Sequence, residues 1–362
     1  MAQLSALAHH IFYSQISTKP EINLSDACAN NLLLSDYISQ EEFNDFFSKQ
    51  VMSYADIQGD LGLRTTILNN LYEDFNLEDI STFSGAQEAI FATYLALLDK
   101  GDEVVVITPC YQSLNHYVND LNINFINFQL NFENDWKLDF EGLEKAISNK
   151  TKMLVINYPN NPTGAHLNKN EVIKLANIAS KYGLYVLSDE VSAFSTIDAG
   201  DRWCFSNYYD KAISISVMSK SFGAPGVRIG WSLCKDQEIN RRLKRSKTYL
   251  SICTSRTDEF ICNKLIKKSK EILNKNNNII FDNVARLNKK IPKNLWNVHN
   301  AGIVTTVKTK KEINLIIEDL LKQDILILPT SVFGYEGNYF RLGLGNLKAI
   351  DCFIDNLEHF FN

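Results

Sequence analysis

Ser216-Val217-Met218-Ser219-Lys220-Ser221-Phe222-Gly223-Ala224-Pro225-Gly226-Val227-Arg228 ends an apolar run that begins at Ala212. The run reads as a buried strand. A lysine stands at its end, a Gly/Pro loop follows, and an arginine comes eight residues after the lysine. Surface lysines lay their stems along exposed faces and seldom sit between a strand end and such a loop. Two further apolar runs end in polar clusters. Asn157-Tyr158-Pro159-Asn160-Asn161-Pro162-Thr163-Gly164 follows one, and its prolines, asparagines and glycine predict a tight, rigid loop. Ser188-Asp189-Glu190-Val191 follows the other. Singly, the first is also a plain strand-to-helix turn, and the second a pair of helix-capping carboxylates. Ligands of open α/β sheets bind outside the carboxyl ends of the strands, so the three clusters are candidates for one shared site.

Strand and helix alternate outward from this stretch. Strands are predicted over 103–108, 123–128, 153–158, 184–188, 212–218 and 228–234, with amphipathic helices over 87–98, 141–147 and 169–182. The pattern predicts an α/β fold with a mostly parallel sheet covered on both faces. The last third differs. A long helix over about 257–290 precedes strands at 302–307, 325–328 and 339–344 and helices at 312–323 and 347–361. This reads as a smaller α+β domain. The expected division is a large domain over 45–250 and a small one from 1–44 with 251–362.

Composition narrows the function classes. The chain has 362 residues, 45% of them hydrophobic and 22% charged, which fits a globular chain with more than one core. A net charge of −5 offers no basic field for nucleic acid. The one basic run, Arg241-Arg242-Leu243-Lys244-Arg245-Ser246-Lys247, reads as a solvated helix face. Seven irregularly spaced cysteines without a C-x-x-C suit a reducing compartment. The histidines form no metal motif, and His9-His10 read as part of an exposed N-terminal segment. Residues 1–15 lack the pattern of a signal peptide, and no apolar run approaches the roughly 20 residues of a membrane span. A soluble, cytoplasmic protein is expected. No G-x-G-x-x-G follows a strand, which argues against a dinucleotide enzyme.

Taken together, in this order and spacing, the clusters resemble the fold-type I enzymes that depend on pyridoxal 5′-phosphate (PLP), in particular the class I/II aminotransferases. Further stretches share the resemblance: Tyr54-Ala55-Asp56-Ile57-Gln58-Gly59-Asp60-Leu61-Gly62-Leu63-Arg64, Ser84-Gly85-Ala86-Gln87-Glu88-Ala89, Pro109-Cys110-Tyr111 and Phe340-Arg341-Leu342. The match spans roughly 25–345. It implies PLP held as an imine on Lys220, which also shuttles the substrate proton. It implies Asp189 beside the pyridine nitrogen, keeping it protonated, and Asn161 as donor to the ring hydroxyl oxygen. Tyr111 would stack on the ring. Gly85, Ala86 and Gln87 at a helix start, with Ser219 and Arg228, would hold the phosphate. Arg341 would bind the substrate α-carboxylate, and Tyr54 would reach the phosphate of the partner site in a homodimer. Amino acids and 2-oxo acids are the implied substrates. The resemblance also implies cis bonds at Thr108-Pro109 and Asn161-Pro162.

The chain departs from the family at three places. Ser192 stands where a tyrosine is usual, Val217 where a serine is common, and Ser25-Asp26-Ala27-Cys28 where a glycine-containing substrate loop is common. Fold does not fix chemistry, so a PLP-dependent lyase, decarboxylase or cyclase is the alternative to a transaminase. Arg256 is a candidate partner for a second substrate carboxylate, with a surface arginine as the plainer reading.

Overall fold

The apolar runs of the middle of the chain become one seven-stranded sheet in the computed structural model, which describes residues 5–16, 19–51, 53–196, 202–297 and 300–361. In chain order the strands are β1 (Ile22–Asn23), β2 (Ile80–Phe83), β3 (Glu103–Thr108), β4 (Asn124–Gln129), β5 (Thr151–Asn157), β6 (Tyr185–Asp189), β7 (Ala212–Val217), β8 (Gly230–Leu233), β9 (Val304–Lys308), β10 (Ile325–Leu326), β11 (Leu328–Pro329) and β12 (Tyr339–Gly343). The main sheet has the order β2-β8-β7-β6-β5-β3-β4. Strands β7, β6, β5, β3 and β4 pair in parallel. β8 runs antiparallel to both of its neighbours. β5, β6 and β7 are buried almost throughout because apolar clusters cover both faces.

The helices are α1 (Ala8–Ser14), α2 (Gln40–Lys49), α3 (Leu61–Leu71), α4 (Ala86–Leu97), α5 (His116–Asp120), α6 (Phe140–Ala146), α7 (Lys169–Tyr182), α8 (Gln237–Leu250), α9 (Arg256–Lys267), α10 (Ser269–Asn288), α11 (Ile313–Leu321), α12 (Leu347–Asp355) and α13 (Leu357–Phe361). α7 shows how the sequence sets its own ends. Asn168 accepts from the Asn170 and Glu171 N–H groups, Glu171 reaches back to the Asn168 N–H, and Gly183 closes the helix at φ 66. In the last third, β9, β11 and β12 form a second sheet of three strands over an apolar cluster that includes Ile280, Leu320, Phe340 and Phe353.

The α/β class and the mostly parallel sheet match expectation, with differences at several points. The edge strand β2 was not expected. Ile80-Ser81-Thr82-Phe83 is too short and polar to signal a strand; it pairs with β8, and Ile80 and Phe83 join apolar clusters. The helix expected over 257–290 is two helices that meet at Lys268. The strand expected over 325–328 divides between two sheets.

Two residues correct the reading of charged segments. Lys247 lies in the basic run read as a solvated face, yet it is fully buried. Its ammonium donates to the carbonyls of Ile57 and Thr82, both at 2.6 Å. A lysine that donates to two backbone oxygens can leave water, although burial pushes its pKa down to about 8. His9 is not part of an exposed segment either. It is half-buried in α1, with its ring centroid 5.6 Å from that of Tyr111.

Candidate active site

The chain enters β3, moves outward to β4, and returns on the other side of β3 to build β5, β6 and β7. That reversal places the carboxyl ends of β3 and β5 on either side of a crevice. Tyr111 follows β3, Asn161 follows β5, Asp189 ends β6, and Lys220 lies three residues beyond β7. All four line one cavity of about 270 Å³. Ala86, Gln87, Ser219 and Arg228 line it too.

The loop after β5 is rigid because its side chains replace missing backbone partners. Asn157 Nδ2 donates to the Asp189 carbonyl at 3.1 Å, and its Oδ1 accepts from the Asn161 N–H at 2.9 Å. Asn160 Nδ2 donates to the Pro109 carbonyl at 3.0 Å, while its Oδ1 accepts from the Thr163 N–H and hydroxyl. The expected cis bonds at Thr108-Pro109 and Asn161-Pro162 are present, with a third at Tyr158-Pro159. Asn157 and Asn160 were quoted in the sequence without a role. Their positions in the same cluster as Asn161 were the available signal.

Asp189 and its neighbour Glu190 point to opposite faces, as successive residues of a strand must. Asp189 faces the cavity. It is buried and its carboxylate accepts from the Val191 N–H at 3.2 Å. Burial raises its pKa to about 6, against the opposing pull of that N–H and of Lys220. Glu190 turns the other way and is satisfied by Ser188, Ser214 and the Phe205 N–H. It flanks a larger, polar cavity of about 560 Å³. Size therefore does not choose the site; convergence of charged and polar groups does.

At the opposite rim, Gly85 opens α4 at φ 87 with no side-chain cap, so the first N–H groups of the helix remain available. That backbone conformation favours glycine, and a Cβ there would also stand 2.6 Å from Arg228 Nη2. Arg228 also donates to Ser219 Oγ at 3.2 Å. An uncapped helix start, a hydroxyl and a guanidinium together suit a phosphate dianion. Lys220 is held in place by its own carbonyl, which accepts from the Ala29 and Gly223 N–H groups at 3.1 Å each. Its ammonium lies 4.0 Å from Cys28 Sγ, a cavity-lining group that the sequence left unassigned. An amine, a buried carboxylate and an anion cradle around one cavity fit PLP in charge and in kind.

Arg341 reaches the cavity through Asn161, donating from Nη1 to Asn161 Oδ1 at 2.9 Å. Its Nε and Nη2 donate to the Ser25 carbonyl at 3.1 and 2.6 Å. Tyr54 is not brought to this cavity. It is 78% exposed, on a loop held by Arg256, which donates to the Ser53 and Tyr54 carbonyls at 2.8 and 2.9 Å. Val217 presents an apolar wall to the cavity, and Ser192 is buried outside its lining.

The family described as aminotransferase class I and II matches residues 29–357. The chain belongs to the class I and II aminotransferases. Among curated relatives, the aspartate aminotransferase of Pyrococcus horikoshii is 28% identical over 76% of this chain and 73% of its own. The aspartate aminotransferase of Thermotoga maritima is 24% identical over 89% and 87%. Among solved structures, a PLP-dependent aminotransferase from Streptococcus suis superposes with a TM-score of 0.90 at 26% identity, covering 99% of each chain. The protein is thus a fold-type I aminotransferase, an enzyme of amino-group transfer, and the alternative of a lyase, decarboxylase or cyclase gives way to that reading. Membership of this family implies PLP as cofactor. Among the described residues no helix is long and apolar enough to cross a membrane.

Proposed function

We propose that this aminotransferase uses Lys220 as anchor and base, with an α-amino acid as donor and a 2-oxo acid as acceptor. The observation that carries the assignment is the shared cavity of Lys220, Asp189 and the α4 cradle. When bound, PLP supplies an aldehyde that condenses with amines and a ring that draws electrons from the substrate Cα. Lys220 Nζ would anchor the group and would serve as the base for the substrate Cα proton. The Asp189 carboxylate keeps a proton on a ring nitrogen, since a cation beside it offsets the cost of burying its charge. Asn161 would donate to the ring oxygen and Tyr111 would cover a ring face. Gly85, Ala86, Gln87, Ser219 and Arg228 bind the phosphate.

Arg341 binds the substrate α-carboxylate. Its contacts among the described residues engage Nε once, Nη1 once and Nη2 once. One N–H then remains on each terminal nitrogen, the pair that grips a carboxylate in two places. Exposed Phe47, Val51, Leu61 and Tyr249 support a homodimer in which Tyr54 completes the partner's phosphate site. The seven cysteines are free thiols, which supports a cytoplasmic home. The proposed division, 45–250 against 1–44 with 251–362, is supported by an apolar cluster drawn from the second set, from Leu24 and Ala27 to Phe360 and Phe361.

A panel of amino donors added to the PLP-loaded protein tests this reading through the cofactor's own absorbance. At least one donor is expected to convert the cofactor to its amine form, and a 2-oxo acid to restore it. Cofactor bound normally but converted by no donor in the panel would contradict the proposed roles.

A further inference from the structure

Helix α1 and Ser5 just before it pack beside the site. Ser5 donates from its N–H and its hydroxyl to the Asp120 carboxylate at 3.0 and 2.8 Å. Ala8 and Phe12 pack on the cluster of Leu328, Val332 and Phe333. Phe333 in turn lies under Arg341, with its ring 5.0 Å from the guanidinium carbon. Between these contacts His9 sits against Tyr111, a wall of the cavity.

The hydrogen bonds of His9 fix where its proton is. Gln112 Nε2 donates to the Val332 carbonyl. A carbonyl only accepts, so the amide nitrogen of Gln112 faces Val332 and its oxygen faces His9. That oxygen meets the His9 backbone N–H at 3.2 Å and Nδ1 at 3.3 Å. An amide oxygen cannot donate, so Nδ1 carries the hydrogen and Nε2 keeps a lone pair. Burial disfavours a second proton on the ring and outweighs the opposing hydrogen bond to Gln112, and the fields of His10, Arg341 and Lys220 act with burial.

We propose that His9 Nε2 accepts a hydrogen bond from the distal N–H or O–H of the substrate side chain, so that the enzyme prefers donors carrying such a group over dicarboxylic ones. The inference rests on the transaminase reading of the site. It follows from the supply of charges at the mouth. Arg341 is committed to the α-carboxylate and Lys220 to the cofactor. Among the described residues that line the cavity the cations are Lys220 and Arg228, and Arg228 is committed to the phosphate. Arg256, the candidate for a second carboxylate, lies outside the residues that line this cavity and donates to the Ser53 and Tyr54 carbonyls. A distal carboxylate would therefore meet a lone pair. A distal ammonium, guanidinium, amide or hydroxyl would meet an acceptor held in place by Gln112.

The test uses the PLP-loaded protein and unreactive carboxylates, so that binding is read apart from turnover. Hexanoate, 5-guanidinopentanoate and adipate are titrated by calorimetry into wild type, His9→Phe and His9→Gln. His9→Phe keeps a ring against Tyr111 without an acceptor, and His9→Gln restores an acceptor. Wild type is expected to bind 5-guanidinopentanoate about tenfold more tightly than hexanoate, and adipate no better than hexanoate. His9→Phe should erase the preference without weakening hexanoate, and His9→Gln should recover most of it. Undiminished preference in His9→Phe, equal loss for all three ligands, or tighter binding of adipate in wild type overturns the proposal. A parallel half-reaction with glutamine and norleucine separates the two readings. Conversion without discrimination sinks the His9 assignment alone, whereas a binding preference without conversion sinks the transaminase roles.

Discussion

The floor of the cavity and its mouth are assembled differently. Asn161, Asp189 and Lys220 come from the ends of β5, β6 and β7, which are neighbours in the sheet and follow one another in the chain. Their positions are set by strand pairing and by backbone-directed asparagines, at the end of a buried sheet. The mouth draws His9 from the first helix, Gln112 from the turn after β3, and Arg341 from β12 near the chain's end. Its parts are joined by a few side-chain contacts across elements far apart in sequence. The difference teaches where chemistry and selectivity reside. A rigid floor holds the groups that handle protons, and an assembled mouth can vary with the substrate while the floor stays fixed.

Changes in the floor should therefore strike turnover, and changes in the mouth should strike recognition. Asp189→Asn is expected to lower kcat by about 10³-fold, with KM changed far less, since the carboxylate acts on the reacting group and not on the substrate's binding. A loss confined to KM would erase the contrast. The same variant carries a stability signature. Folding raises the Asp189 pKa to about 6 from its usual 3.8, so the native state holds a proton that the unfolded chain has lost between those values. The penalty is absent below the lower value and complete above the higher one. Cofactor-free Asp189→Asn should thus be more stable than cofactor-free wild type by about 3 kcal/mol at pH 8. The gain should shrink as pH falls from 6 towards 4, as urea unfolding at a series of pH values would reveal.

Arg341→Lys is the smaller, complementary change. It keeps the charge but loses the two-pronged grip and the donors to Ser25 and Asn161. KM for the amino donor should rise about 10- to 100-fold, with kcat within a few-fold of wild type. An equal fall in kcat would mean that the mouth also sets the chemistry, through the link from Arg341 to Asn161.

The same contrast governs what could be read from the amino-acid sequence. The floor was legible because each cluster is contiguous and follows an apolar run, so Lys220, Asp189 and Asn161 could be named before their meeting was known. Arg341 was legible only through resemblance, since Phe340-Arg341-Leu342 carries no local signal of a site. His9 was misread because nothing in His9-His10 tells which histidine faces inward; the docking of Ala8 and Phe12 on a cluster more than 300 residues away decides it. Lys247 was misread for a related reason. A basic run predicts solvent, but the carbonyls of Ile57 and Thr82 form an acceptor pair that appears only once β2 and its preceding loop are in place. β2 itself owes its strand form to β8 and not to its own residues.

The central claim is that Lys220 Nζ both anchors the cofactor and moves the substrate proton, and the absorbance of Lys220→Ala loaded with PLP tests it most directly. The account predicts that the variant retains affinity for PLP through the α4 cradle and Asp189, lacks the absorption band of the lysine-bound cofactor, and carries an added amino donor to the amine form at least about 10³-fold more slowly than wild type. A variant with the wild-type band, or one that transfers amino groups at the wild-type rate, would contradict it.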